Sequence, residues 1–172
     1  LSLDVDQASV HLLWAWFGVA TVGPFVGWIS DIIQSRKIPM YICFTIGLIA
    51  TLNLVMHRHI SMHVLDVDLF LIGAAAGIQP ITFGLIKDQN PTHVTGTAVA
   101  FNNMAIIFGG VILQPLFGFL LDLYWQGNLI NNLRVYSLTE YHHAMWLLPI
   151  CCLIGLLTTF FSVEETNCQK IA

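Results

Sequence analysis

GWISDIIQSRK, the stretch from Gly27 to Lys37, separates two long apolar runs of this chain. It places one carboxylate, Asp31, and two cations, Arg36 and Lys37, between segments that carry no Asp, Glu, Lys or Arg. Because an ammonium or guanidinium group is costly in hydrocarbon, we expect both cations to lie at a membrane surface. The stretch therefore predicts a loop between two membrane-spanning helices.

The composition of the 172 residues supports a membrane protein. Hydrophobic residues make up 56% of the chain and charged residues only 9%, whereas soluble domains contain about 25% charged residues. The net charge of −4 gives no basic patch for nucleic acid. The four Cys show no C-x-x-C spacing, and the His residues fall in loops or near span ends, so we expect no metal site and no cofactor.

Five apolar segments are long enough to cross a hydrocarbon core of about 30 Å. They cover about residues 10–30, 38–56, 69–86, 97–124 and 142–163. With connections on alternating sides, one side carries Arg36, Lys37, Lys87 and Lys170, and the other carries Arg58 and Arg134. The positive-inside rule then places the C-terminus in the cytoplasm. The predicted class is an all-α, polytopic membrane protein in which glycines of the first span, Gly18, Gly23 and Gly27, permit close helix contact.

The spacing of Gly27, Asp31, Arg36 and Lys37 resembles the signature loop of the major facilitator superfamily of secondary transporters. Four further stretches are similar to bacterial members, namely Gln7-Ala8-Ser9, residues 96–104, residues 109–118 and Glu165-Thr166-Asn167-Cys168. The nearest resemblance is to sugar-phosphate and phthalate-permease-like transporters of Gram-negative bacteria. It implies that residues 1–172 are helices 8 to 12 of a twelve-helix bundle in the bacterial inner membrane, and that the N-terminal half of the transporter is missing here.

The resemblance also implies a gating role for the loop. In the superfamily the carboxylate corresponding to Asp31 faces the start of helix 11, here near Thr95-Gly96-Thr97, whose unpaired N–H groups and dipole attract an anion. Such a contact would latch the cytoplasmic side. The alternative is that Asp31 marks the membrane boundary and pairs with Arg36. Two departures from the family pattern, Ile33 for a cation and Ser35 for a glycine, predict a weaker turn and charge network.

Polar residues inside the spans are candidates for a substrate pathway. Asn103 and Gln114 lie about three helical turns apart and share a face that includes Gly110. Asn102 points about 100° away from that face, towards a neighbouring helix. The alternative for both Asn is interhelical hydrogen bonding, which contributes about 0.6–2 kcal/mol.

The third span adds two more candidates, Gln79 and Thr82, which lie three residues apart on one face. The resemblance places this helix, the fourth and the first around the central pathway. Trp14, near the start of the first span, is a weaker candidate, because a Trp at a helix end is typically an interface anchor. No span contains Asp, Glu, Lys or Arg near its middle, so we expect any group that handles protons to lie in the missing half.

These observations favour a secondary active transporter of a small polar solute that works by alternating access. An organic anion, a sugar phosphate, an amino acid or a nucleoside would suit an amide-lined wall, and proton coupling is an implication of the resemblance. The alternative is a membrane sensor that binds a solute without moving it. A membrane enzyme is disfavoured, because no nucleophile and base are spaced for catalysis. A haem subunit is disfavoured, because the His residues lie in loops or at span ends. We therefore expect the protein to have no enzymatic activity.

Overall fold

The computed structural model describes residues 5–57, 60–130 and 133–169 of the chain. Its helices are α1 (Val5–Ile32), α2 (Lys37–Met56), α3 (Met62–Ala76), α4 (Gln79–Asp88), α5 (Thr95–Leu123), α6 (Leu138–Met145) and α7 (Leu147–Phe161). A short hairpin, β1 (Leu129–Ile130) and β2 (Leu133–Arg134), pairs antiparallel between α5 and α6.

Five helical segments of the described chain are long and apolar enough to cross a membrane. They are α1, α2, α3 with α4, α5, and α6 with α7. The prediction of an all-α, polytopic membrane protein with five spans is confirmed. We call the end of the bundle where α1 meets α2 the Arg36 face, and the opposite end, where α1 and α3 begin, the His11 face. Lys87 also lies at the Arg36 face and Arg134 at the His11 face, whereas Arg58 and Lys170 are outside the described residues.

Three of the spans begin at least four residues earlier than the sequence indicated. α1 begins at Val5 rather than near residue 10, the third span at Met62 rather than 69, and the last at Leu138 rather than 142. Side-chain caps explain the second and third differences. Ser61 accepts a hydrogen bond from the backbone of the first turn of α3, and Ser137 forms a reciprocal capping box with Glu140 of α6. Polar residues that looked like loop residues therefore form the first turns of helices.

The third span is broken in its interior, between α3 and α4. Gly77 caps α3, and Pro80 occupies the first turn of α4, where its missing N–H costs little. A break at this depth is compatible with a membrane only where protein covers the freed backbone. Gly23 of α1 provides that cover, because a Cβ added to Gly77 would lie 3.0 Å from the Gly23 nitrogen.

Glycines bring α1 and α3 into direct backbone contact, as the sequence predicted for the first span. A Cβ on Gly18 would lie 2.3 Å from the carbonyl oxygen of Phe70, and one on Gly73 would lie 1.9 Å from that of Ala15. A side chain at either position would push the helices apart. α2 packs against both α3 and α7, and Phe44 of α2 fills the space left by Gly155 of α7.

The fifth helix, α5, packs much less tightly than the others. It contacts α4 near its start and α6 near its end, and Leu121 is its one buried residue. Large apolar side chains such as Phe101 and Phe108 are more than 60% exposed along it. In a bilayer such surfaces lie against lipid tails or another helix, so α5 is the helix with the most surface available to a further part of a bundle.

Candidate gating cluster at the Arg36 face

Arg36 lies at the centre of a buried polar cluster between helix ends. Its Nε donates to Oδ2 of Asp88 at 2.9 Å, and its Nη1 donates to Oδ1 of Asp31 at 2.7 Å. The side chains of Arg36 and Asp88 are 10% and 7% exposed, whereas that of Asp31 is 66% exposed. Arg36 and Asp88 are therefore a buried ion pair, and removing one partner of such a pair costs about 3–5 kcal/mol.

The turn that directs Arg36 inward is held by two serines. The Ser30 hydroxyl donates to the carbonyl of Ser35 at 2.9 Å and accepts from Arg36 Nη1 at 3.0 Å. Gln34 has a φ of 48°, a left-handed conformation that costs a non-glycine residue about 1–2 kcal/mol. The hydrogen bonds of the two buried serines offset that cost and reverse the chain within four residues of the end of α1.

Gly84 of α4 leaves room for the guanidinium group. A Cβ at this position would lie 3.1 Å from Cζ of Arg36 and 3.3 Å from both terminal nitrogens. Asp88 lies one helical turn further along α4. The same helix therefore provides both the space for the guanidinium group, at Gly84, and its counter-charge. This geometry requires a very small residue at position 84.

Glu165, which follows α7, caps the N-terminus of α2. Its carboxylate accepts from the backbone N–H groups of Arg36 at 2.9 Å and Lys37 at 3.1 Å, and from the Ser35 hydroxyl at 2.5 Å. The N-cap residue of α2 makes no side-chain cap of its own. A carboxylate at a helix N-terminus stabilises the helix by about 0.5–2 kcal/mol. This contact therefore holds the segment that follows α7 against the start of α2.

The contacts of the cluster shift the pKa values of Arg36 and Glu165. Burial lowers the pKa of Arg36, but the hydrogen bonds to Asp88 and Asp31 outweigh burial and the pKa is raised. Burial raises the pKa of Glu165, but hydrogen bonds from Ser35 and from backbone N–H groups outweigh it and the pKa is lowered. Both shifts favour the charged forms, so Arg36 and Glu165 are ionised at neutral pH.

The four predicted gating residues all lie at this face. Asp31 contacts Arg36, which is the second of the two alternatives, and not the start of α5. Lys37 begins α2 and its Nζ donates to a carbonyl of α7 at 3.4 Å. Gly27 faces a proline of α4, 3.6 Å from where its Cβ would be. Sequence reasoning thus found the loop, and the structure adds its partners.

The two departures from the family pattern have different outcomes. Ser35 is buried, and its hydroxyl links Glu165 to the backbone N–H of Ile38, so the serine adds contacts that a glycine could not make. The left-handed position of the turn is Gln34, one residue earlier. Ile33 is 43% exposed and adds no charge, so the network depends on a single arginine.

The pathway candidates are not gathered into one cavity. Asn102 Nδ2 donates to Oγ1 of Thr82 at 3.4 Å, which confirms the expected bond between Asn102 and a neighbouring helix. The three pathway candidates of α5, Asn103, Gly110 and Gln114, lie on exposed surface. That face of α5 is consequently open to whatever packs against it.

The remaining two candidates also lie on exposed surface. Gln79 begins α4 at the break in the third span, and its carbonyl accepts from the Thr82 hydroxyl at 2.8 Å. Trp14 is 44% exposed and packs edge-on against Phe17 of its own helix, with 6.1 Å between ring centroids. These contacts assign neither residue to a binding site.

Sequence reasoning missed Asp88 and Glu165 as members of the cluster. The available signal was the topology: with alternating connections, Asp31, Asp88 and Glu165 all fall on the side of Arg36. Three carboxylates near one buried arginine indicate an ion-pair network. Which carboxylate is buried depends on helix packing, and the sequence does not specify that.

The comparisons with known proteins agree with the architecture. No curated protein and no solved structure matches the chain. The family model described as Major Facilitator Superfamily matches residues 1–169, nearly the whole chain. Together with the five spans and the ion-pair loop between the first two, this match shows that the chain belongs to the Major Facilitator Superfamily, a family of membrane transporters.

Proposed function

We propose that the protein is a secondary transporter of a small polar solute, coupled to protons, and that the Arg36 face gates its cytoplasmic side. The observation that carries the proposal is the buried Arg36–Asp88 pair, whose guanidinium also bonds the exposed Asp31. One cation thereby joins the α1–α2 loop to the end of α4. A link between helix ends at a membrane surface is the kind of contact that a gate can break and reform.

Asp31 is the moving part of the proposed gate. It uses Oδ1 for Arg36 and is 66% exposed, so it can leave this partner at low cost. The N-cap residue of α5, Val94, provides no side-chain cap for the first N–H groups of that helix. A carboxylate at that end would gain from the helix dipole by about 0.3–1 kcal/mol. Asp31 exchanges between Arg36 and the start of α5 as the gate opens and closes.

The pathway in this proposal runs along α5. Asn103, Gly110 and Gln114 lie on its exposed surface, and two amides beside a glycine offer donors and acceptors to a polar solute. The resemblance to sugar-phosphate and phthalate-permease-like transporters favours an organic anion or sugar phosphate. We place these residues in the second half of a twelve-helix bundle of the bacterial inner membrane, with the Arg36 face cytoplasmic.

Uptake into cells that express the full-length gene tests the function. Cells are given pooled labelled sugar phosphates, organic anions, amino acids and nucleosides, with and without a proton uncoupler. Accumulation that the uncoupler abolishes supports proton-driven transport. Binding of one pool without flux of any pool would contradict transport and favour the sensor. Such binding is detected as a rise in the melting temperature of the purified protein.

Asn103→Ala and Gln114→Ala then test the proposed pathway along α5. Thr158→Ala, on the exposed surface of α7, is the control.

A further inference from the structure

The second turns of α1 and α3 form a second polar site, at the His11 face. His11 Nδ1 of α1 is hydrogen-bonded to Oδ1 of Asp66 in α3. The two side chains are only 19% and 22% exposed. Asp66 is the fifth residue of α3 and His11 the seventh of α1, so both lie about 6–9 Å inside their helices. The structure thus places an ionisable pair near the starts of the first and third spans.

The pair has no Lys or Arg beside it on its own helices. Neither α1 nor α3 contains a Lys or Arg. The other titratable groups of the elements packed here are Asp6 of α1, the exposed His63 and the buried Asp68 of α3, and His57 at the end of α2. Asp68 faces α2, where Asn53 Nδ2 donates to it at 2.8 Å, and His57 bonds the Asn53 carbonyl. Among the described residues, His11 is thus the group in contact with Asp66 that can balance its charge.

We propose that His11 and Asp66 form the proton-binding site that couples transport to the proton gradient. This inference rests on the proposed function. A carboxylate accepts hydrogen bonds and does not donate them, so the nitrogen that faces Asp66 carries the hydrogen in the neutral ring. The lone pair of the second nitrogen, Nε2, is then the position that takes up a proton from the aqueous phase. Imidazole is the side chain that changes charge most readily near neutral pH.

Proton uptake changes the charge of the pair from −1 to zero. The proton comes from water at the His11 face, forms an N–H bond at Nε2, and leaves Asp66 ionised as the partner of the imidazolium ring. A pair with a net charge is more costly to close off from water than a neutral one. The protein can therefore occlude this end of the bundle when the proton is bound, and the bound proton is carried through the conformational cycle.

The test separates coupling from movement of solute. The purified full-length protein is reconstituted into liposomes, and uptake of the same labelled pools is measured with an inward pH gradient of about two units. One coupled proton then supports about 100-fold accumulation, because each pH unit corresponds to a tenfold ratio. Exchange of internal for external solute, measured without a gradient, reports movement that needs no coupling.

His11→Gln and Asp66→Asn are expected to lower the accumulation ratio from about 100 to about 1, with exchange rates within about twofold of wild type. Retained exchange also shows that each variant folds. His63→Gln is the matched control, because His63 is an exposed imidazole three residues before Asp66 in α3; it should leave both measurements unchanged. Gradient-driven accumulation that survives both substitutions overturns the inference while transport stands. Absence of flux in wild type overturns the proposed function, and the coupling site with it.

Discussion

Removing the carboxylate of Asp88 should destabilise the protein far more than removing that of Asp31, although both bond the same guanidinium group. Asp88 is 7% exposed, so Asp88→Ala leaves a buried Arg36 without its buried counter-charge, at a cost of about 3–5 kcal/mol. Asp31 is 66% exposed, so Asp31→Ala removes a pair screened by water, worth about 0–1 kcal/mol. The structure therefore predicts two very different effects from the same chemical change.

Thermal unfolding of the purified protein in detergent measures the difference. At about 2–4 °C per kcal/mol for a chain of this size, Asp88→Ala should lower the melting temperature by about 6–20 °C and Asp31→Ala by at most about 4 °C. Arg36→Leu, which removes the cation, provides the reciprocal comparison and should be nearly as harmful as Asp88→Ala. Equal effects of the two carboxylate variants would refute the buried pair as the centre of the cluster.

Three further substitutions test the packing, the cap and one interhelical bond. Gly73→Ala adds a Cβ that would lie 1.9 Å from a backbone oxygen of α1, so it should destabilise by about 1–3 kcal/mol, whereas Gly96→Ala meets nothing within 4 Å and should be neutral in the same unfolding assay. Because the folded pKa of Glu165 is lowered, its contribution to stability is present above the unfolded value of about 4.3 and is lost as pH falls through the folded value. Melting temperatures between pH 6 and 3 should consequently fall less steeply in Glu165→Gln than in wild type, and parallel profiles would contradict the cap. Asn102→Ala should cost only about 0.6 kcal/mol, and a loss above about 2 kcal/mol would show that this side chain does more than join two helices.

The number and order of the spans followed from the sequence because lipid imposes one requirement throughout. A segment that crosses hydrocarbon must be apolar, long and helical, so runs such as residues 38–56 are visible without any tertiary information. Helix starts were less predictable. Ser61 and Ser137 cap helices that begin with polar turns, and polar turns read as loops when hydropathy is the only criterion.

The gating loop could be located from its spacing, but its partners could not be assigned. Arg36 bonds Asp88 and Glu165 caps the following helix from 129 residues away, and such pairings depend on how the helices pack. The pair of His11 and Asp66 was missed for the same reason. Each residue alone looked like part of a polar flank, and only the close crossing of α1 and α3 brings them into contact.

The most direct test of alternating access at the Arg36 face is a distance measurement by pulsed electron paramagnetic resonance. Spin labels are placed at Gln34→Cys, in the α1–α2 loop, and Gly96→Cys, at the start of α5, after the native cysteines have been replaced. A gate in which Asp31 moves between Arg36 and α5 predicts two distance populations, with the shorter one depleted by Asp31→Asn. A single distance that Asp31→Asn leaves unchanged would contradict the gate.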